Sequence, residues 1–221
     1  MFSDYSIFPI SHSKANDFLK RHHYLSQQGS GFLGKVQYGL FESSLRLVGV
    51  IVFSGVSVWQ TLIGAFEGYD RDSSQEGIWE LTRLAMDDKR KTKNMTSWFV
   101  SHAIRALRKN YEVKAIISYA DSAYHHGYIY QATNFKYYGL TDYKEDFHEL
   151  QEDGTYKKVW RGNVRDLNGA WFPRSRKHRY MMVFDDSLKV KWQEQPYPKG
   201  DNDEYELKQP ERDQISFFDI I

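Results

Sequence analysis

Along the chain, apolar residues alternate, then cluster, then recur every three or four positions, and each change of rhythm predicts an element. Tyr5–Pro9 predicts a short first strand. Ser11 follows as an N-cap for a helix to about His22, in which Ala15, Phe18 and Leu19 keep helical spacing. A Gly/Ser/Gln-rich loop, Ser26–Gly31, comes next. Val36–Phe41 and Leu45–Phe53 are separated by Glu42-Ser43-Ser44, a hairpin-length gap, and the second run is apolar enough for a central strand.

Val56–Ser74 has no clear period and reads as a long loop. Ile78–Ala85 alternates, which predicts a strand with Trp79, Leu81 and Arg83 on one face and Glu80 on the other. Thr96–Lys109 carries Trp98, Phe99, Ala103, Ile104, Ala106 and Leu107 at amphipathic-helix spacing. Ala115–Ala120 predicts a buried strand ending at Asp121, a second helix spans His126–Thr133, and Phe135–Gly139 is short and extended. The order β, α, β, β, β, α, β, α, β predicts an α/β fold, a mixed sheet flanked by helices. Beyond about residue 193 the composition turns to Pro, Glu, Asp and Lys, which is linker-like. The expected organisation is one folded domain over residues 1–192, with a flexible acidic tail over 193–221.

Composition narrows the chemistry. The 221 residues contain no cysteine, which excludes disulfides, thiolate metal sites and cysteine nucleophiles. The first residues lack a signal-peptide pattern, and no apolar run approaches the roughly 18 residues of a membrane helix. A cytoplasmic location without a membrane partner is therefore expected. The formal net charge of +1 hides an uneven layout. Residues 156–182 form a basic extension carrying Lys157, Lys158, Arg161, Arg165, Arg174, Arg176, Lys177 and Arg179 against Asp166 alone. Residues 200–221 are strongly acidic. The basic segment suits phosphate contacts with double-stranded DNA, with Lys157, Lys158, Arg161, Arg174, Arg176, Lys177 and Arg179 as DNA-binding candidates. A charged surface hairpin is the plainer alternative.

Two strand–helix junctions offer sites, because open α/β sheets place them at the C-terminal ends of strands. After Ile78–Ala85, a basic loop delivers Lys93 and Asn94 into a helix opening at Thr96 and Ser97. Free N–H groups there suit an anion, such as a phosphate-bearing cofactor, and a solvated loop capped by Thr96 is the plainer reading. Arg83 either joins a buried ion pair or offers its planar fork to a phosphate or carboxylate. At the second junction Asp121 ends a strand, with Tyr124, His125, His126, Tyr128 and Tyr130 behind it. A carboxylate there either deprotonates an amine or caps the next helix. His22 and His23 have no HExxH or closely spaced carboxylate, so no metal ligands are assigned, although oxygen- and nitrogen-bound iron is left open.

The motifs add up in order. Glu80-Leu81-Thr82-Arg83-Leu84, Lys93-Asn94, Thr96-Ser97, Ser118-Tyr119-Ala120-Asp121 and the run Gly127–Phe135, with the later Lys177-His178-Arg179-Tyr180, resemble the core of the phage Mom family of DNA adenine-modifying proteins. The resemblance spans about His23–Tyr180. It implies a GNAT-like acyltransferase fold and addition of a methylcarbamoyl group to the exocyclic amine of adenine in DNA, which shields phage DNA from restriction. Carried over by position, Arg83 and Ser97 would hold the cofactor, while Asp121 and Tyr130 would be catalytic. Ser122-Ala123-Tyr124-His125 replaces the family's Pro/Gly stretch, which makes Tyr128 a second candidate. An acyl-CoA-like donor such as acetyl-CoA is implied by the resemblance alone, because Lys93-Asn94-Met95-Thr96 stands where acetyltransferases of this class carry glycines. A flipped adenine could stack on Trp59, Phe66, Tyr69 or Tyr124. Two alternatives stay open: an N-acetyltransferase for a small-molecule or protein amine, and a non-catalytic DNA-binding protein on the same scaffold. Finally, Gln214-Ile215-Ser216-Phe217-Phe218 is similar to the short peptides that dock on the bacterial sliding clamp, or it packs on its own domain.

Overall fold

The computed structural model describes residues 2–24, 31–159 and 164–199. Its elements in chain order are β1 (Tyr5–Pro9), α1 (His12–His22), β2 (Val36–Glu42), β3 (Leu47–Gly55), α2 (Trp59–Ala65), β4 (Ile78–Met86), α3 (Met95–Asn110), β5 (Ala115–Asp121), α4 (Tyr128–Gln131), β6 (Lys136–Leu140), β7 (Lys144–Leu150), β8 (Tyr156–Lys158), β9 (Gly169–Arg174) and β10 (Lys177–Val183). The fold is the mixed α/β class that the periodicities predict. Two compact units emerge. The first comprises the described residues of Met1–Tyr119, Gly127–Gly139 and Arg179–Tyr197; the second comprises those of Ala120–His126 and Leu140–His178, with Pro198 and Lys199.

A seven-stranded sheet in the order β1-β2-β3-β4-β5-β10-β6 organises the first unit. The ends of β5, β6 and β10 pass into the second. β1 to β4 pair antiparallel, and β4 pairs with β5 in parallel, so the sheet is mixed. Alternation on β3 decides which helix covers which face. Val50 and Val52 pack with Ala15, Phe18 and Leu19 of α1, whereas the opposite face at Gly49 meets Phe99 of α3. Ser11 caps α1 as the sequence predicts, its hydroxyl accepting from the Lys14 N–H at 3.2 Å.

Four sequence expectations need correction. Val56–Ser74 is not all loop: α2 forms because Leu62, Ala65 and Phe66 recur at helical spacing and bury against Ile78, Ala115 and Ile117. The helix expected over His126–Thr133 is a single turn, Tyr128–Gln131. Gly127 at φ 79 bars its backward extension, and Asn134 at φ 65 turns the chain after it. The basic extension is largely β-structure rather than a lone hairpin. β8-β7-β9 make a three-stranded sheet of their own, and β10 inserts between β5 and β6 of the main sheet, where Tyr180 and Met181 are fully buried. The last correction, on β4, bears on the site.

Candidate active site

β4 does not alternate cleanly. Its register with β3 shifts between Val52↔Arg83 and Phe53↔Leu81, leaving Thr82 as an extra residue. A bulge reverses the side-chain sequence beyond it. Glu80 opposite Ser54 and Arg83 opposite Val52 therefore share a face, the α1 face, and Trp79 and Leu81 lie on the other. The expectation that Arg83 sits with Trp79 and Leu81 fails for this reason. The bulge also explains Arg83. Its Nη1 donates to the Thr82 carbonyl at 2.8 Å, and its Nη2 donates to the Gly31 carbonyl at 3.1 Å. The buried Nε has no hydrogen-bond partner, and burial lowers the guanidinium pKa while Tyr24 and Glu80 oppose that shift. The parallel ladder between β4 and β5 ends at Leu81↔Ser118, although β4 runs on to Met86.

On the face opposite Arg83, the buried Ser118 hydroxyl donates to the Leu81 carbonyl at 2.8 Å, and its side chain is also hydrogen-bonded to Tyr130. Tyr130 is 6% exposed and packs on Phe135 and Tyr180 with ring centroids 5.5 and 5.1 Å apart. Burial raises its pKa above the ordinary phenol value, outweighing the Ser118 hydrogen bond, so the phenol stays protonated through neutral pH. Tyr128 differs sharply. It is 64% exposed at the start of α4.

The start of α3 has an unusual geometry. Asn94 precedes the helix at φ 64 and makes no side-chain cap bond; Thr96 does not serve as N-cap, being already inside the helix. Ser97 Oγ donates to the Asn94 carbonyl at 3.0 Å. The Met95 N–H donates to the Thr92 carbonyl at 3.1 Å, and without a cap bond from the Asn94 side chain the next N–H groups of the helix start suit an external acceptor. Lys93 and Asn94 are exposed there, and Thr96 and Ser97 are half-buried. Arg83 lies on the α1 face of the sheet and α3 packs on the other. The fold thus gathers Lys93, Asn94, Thr96 and Ser97 at one turn without Arg83. A cavity of about 420 Å³ elsewhere in this unit is lined by Lys35, Trp79, Tyr111 and Glu112, and by none of the sequence-predicted residues.

Asp121 belongs to the second unit. It ends β5 with 9% exposure, and its Oδ1 accepts from the Ala123 N–H at 3.0 Å. The Tyr124 and His125 N–H groups donate to its carbonyl, both at 3.0 Å. The carboxylate therefore holds a tight turn and caps no helix, and its Oδ2 is left as a second acceptor. Around it stand His125 and His126 from the same turn and His178, which sequence spacing does not connect to them. The His126 and His178 rings meet edge to face at 5.5 Å, and the Ser122 N–H donates to the Arg176 carbonyl at 3.0 Å. Burial, then the neighbouring His126, His125 and Arg176, push the His178 pKa down to about 4 against the pull of Asp121. Burial likewise lowers His125. Only the return of β10 delivers His178; the signal in the sequence was the alternation of His178 and Tyr180 with the basic Lys177 and Arg179.

With this geometry in place, sequence comparison decides the family. The model of the Mom protein family matches residues 4–199. The chain belongs to the Mom protein family. No curated protein matches it in sequence. Among solved structures, this Mom-family chain is similar to a GNAT family acetyltransferase from Elizabethkingia anophelis with acetyl-CoA bound, at 14% identity and TM-score 0.49, covering 82% of this chain and 99% of that one. It is also similar to a Bacillus subtilis acetyltransferase in complex with CoA, at 12% identity and TM-score 0.47, covering 81% and 97%.

The remaining sequence candidates divide by environment. Lys157, Lys158 and Arg174 are exposed in the second unit. Arg176 Nε donates to the Thr141 carbonyl at 2.6 Å, and the half-buried Lys177 follows it into β10. Arg179, in the first unit, places its guanidinium 4.8 Å from the centre of the Trp192 ring. Arg161 and the segment Gln214, Ile215, Ser216, Phe217, Phe218 lie outside the described residues. Among the described residues no three His, Asp or Glu side chains are arranged to hold a metal ion, and no helix is long and apolar enough to cross a membrane.

Proposed function

We propose that this chain modifies DNA by transferring an acyl-like group, a methylcarbamoyl, to the exocyclic N6 amine of adenine. The observation that carries the reading is the match of the Mom family over residues 4–199. The proposed donor is an acyl-CoA-like molecule. The start of α3 suits its phosphates, because the helix lacks a side-chain cap and Lys93 is exposed beside it. Asn94, Thr96 and Ser97 would complete that contact. When bound, such a donor would have to carry the methylcarbamoyl group already as a thioester, so that the C–S bond breaks as the adenine nitrogen bonds to the carbonyl carbon and the thiol leaves.

Adenine's amine is a weak nucleophile because its lone pair is delocalised into the ring, so it must lose a proton as the new bond forms. Asp121 is the proposed base, with Oδ2 as acceptor while Oδ1 is fixed by the Ala123 N–H. Tyr130 is held protonated by burial and serves as an O–H donor rather than as a base. The exposed Tyr128 is the alternative donor. Arg83 takes a supporting role, tying the β4 bulge to the Gly31 segment.

The test is restriction protection. Plasmid from cells expressing the chain should resist restriction enzymes whose sites contain adenine, and plasmid from cells expressing folded Asp121→Ala should be cut normally. Equal cutting in both would count against DNA modification and favour an N-acetyltransferase acting on other amines or a non-catalytic DNA-binding role.

A further inference from the structure

The three-stranded sheet β8-β7-β9 has two faces of opposite character, and the register defines them. Lys144 pairs with Arg174, Asp146 with Phe172, His148 with Lys158, and Leu150 with Tyr156. By alternation these side chains share one face. The contacts agree. Phe172 packs on His148 at 4.8 Å and on Tyr156 at 5.0 Å between ring centroids, while Lys158 and Arg174 both reach Asp146. Two cations thus reach one carboxylate beside an aromatic group, and Lys144 shares their face. The other face carries Glu145, Glu149 and Lys157 around the Phe147–Trp171 pair.

Resting on the reading that the substrate is DNA, we propose that the Lys144, Lys158 and Arg174 face binds an unpaired stretch of the nucleic-acid strand, with a base stacked on Tyr156. Charge selects the face. Trp171 is the more exposed ring, at 50% against 39% for Tyr156, yet it stands with two carboxylates that repel phosphate. The aromatic group selects the form of the strand. Cations alone suit duplex and single strand alike, but a ring stacks only on a base whose own face is free. An enzyme that modifies a base must also take it out of the stack, which leaves unpaired nucleotides to hold. Lys157 and Lys158, adjacent in sequence, therefore part company.

Fluorescence anisotropy with the full chain and a labelled single-stranded oligothymidylate, at several salt concentrations, tests this. Tyr156→Ala should weaken binding at least about fivefold, and Tyr156→Phe, which keeps the ring, should stay within about twofold. Lys158→Gln should reduce the slope of log affinity against log salt by about 0.7, and Lys157→Gln should leave the slope unchanged. Circular dichroism confirms that each variant folds. Equal binding by Tyr156→Ala, equal slopes for the two lysine variants, or preference for duplex over single strand would overturn the proposal. If the oligonucleotide does not bind while cellular DNA is still modified, this face is wrong and the proposed function stands. If both binding and modification are absent, the functional reading falls and this one with it.

Discussion

Tyr130 shows how burial sets chemistry at a single residue. Its side chain is buried and hydrogen-bonded to Ser118, and burial raises its pKa. Tyr130→Phe removes only the hydroxyl, so stability should fall by about 1 kcal/mol in denaturant titration. Modification should fall much further if the O–H acts on the substrate. His178 makes a second residue-scale prediction. Its folded pKa, about 4, lies below the ordinary histidine value because it is buried with His126, His125 and Arg176, with Asp121 pulling the other way. A depressed pKa means that the folded state resists protonation. The contribution of His178 is fully present above the unfolded value of about 6.5 and is lost as pH falls through about 4. Thermal unfolding of the wild type should therefore lose Tm steeply from pH 7 to pH 4, and His178→Gln should give a shallower fall. Parallel curves would remove His178 from that account.

At the scale of elements, the β4 bulge is the decisive feature. Arg83→Leu would strip donors from the Thr82 and Gly31 carbonyls and should cost about 1–3 kcal/mol, read by denaturant unfolding. An unchanged midpoint would show that the guanidinium is dispensable to the bulge. The bulge also marks where sequence reasoning stops. α1 and α3 were legible because their apolar positions keep a period of 3.6, and β3 and β5 because theirs are short continuous apolar runs. Thr82 carries only a faint mark, the polar doublet Thr82-Arg83 that interrupts the alternation between Leu81 and Leu84, and pairing with Val52 and Phe53 is what identifies the extra residue. β10 was hidden differently. Lys177, Arg179 and their basic neighbours suggested a solvated segment, whereas His178 and Tyr180 alternate with them into the sheet. The turn of Asp121 was legible as a strand end, and its histidine neighbour on β10 was not, because long-range pairing leaves no local period.

For the whole molecule, charge layout and family point the same way. A formal charge near zero conceals basic and acidic stretches, and the exposed members of the basic set include Lys158 and Arg174 on one strand-sheet face. Docking on the bacterial sliding clamp through Gln214–Phe218 remains a proposal from sequence. Gln214→Ala combined with Phe218→Ala should abolish clamp recovery in pull-downs; wild-type chain that fails to recover the clamp would end it. The central claim is chemical and is tested most directly by mass spectrometry of nucleosides from DNA of cells expressing the chain, beside an Asp121→Ala control. A deoxyadenosine heavier by a methylcarbamoyl group, present with the wild type and absent from the control, is the predicted result. Unmodified deoxyadenosine with soluble, folded wild-type protein would contradict it.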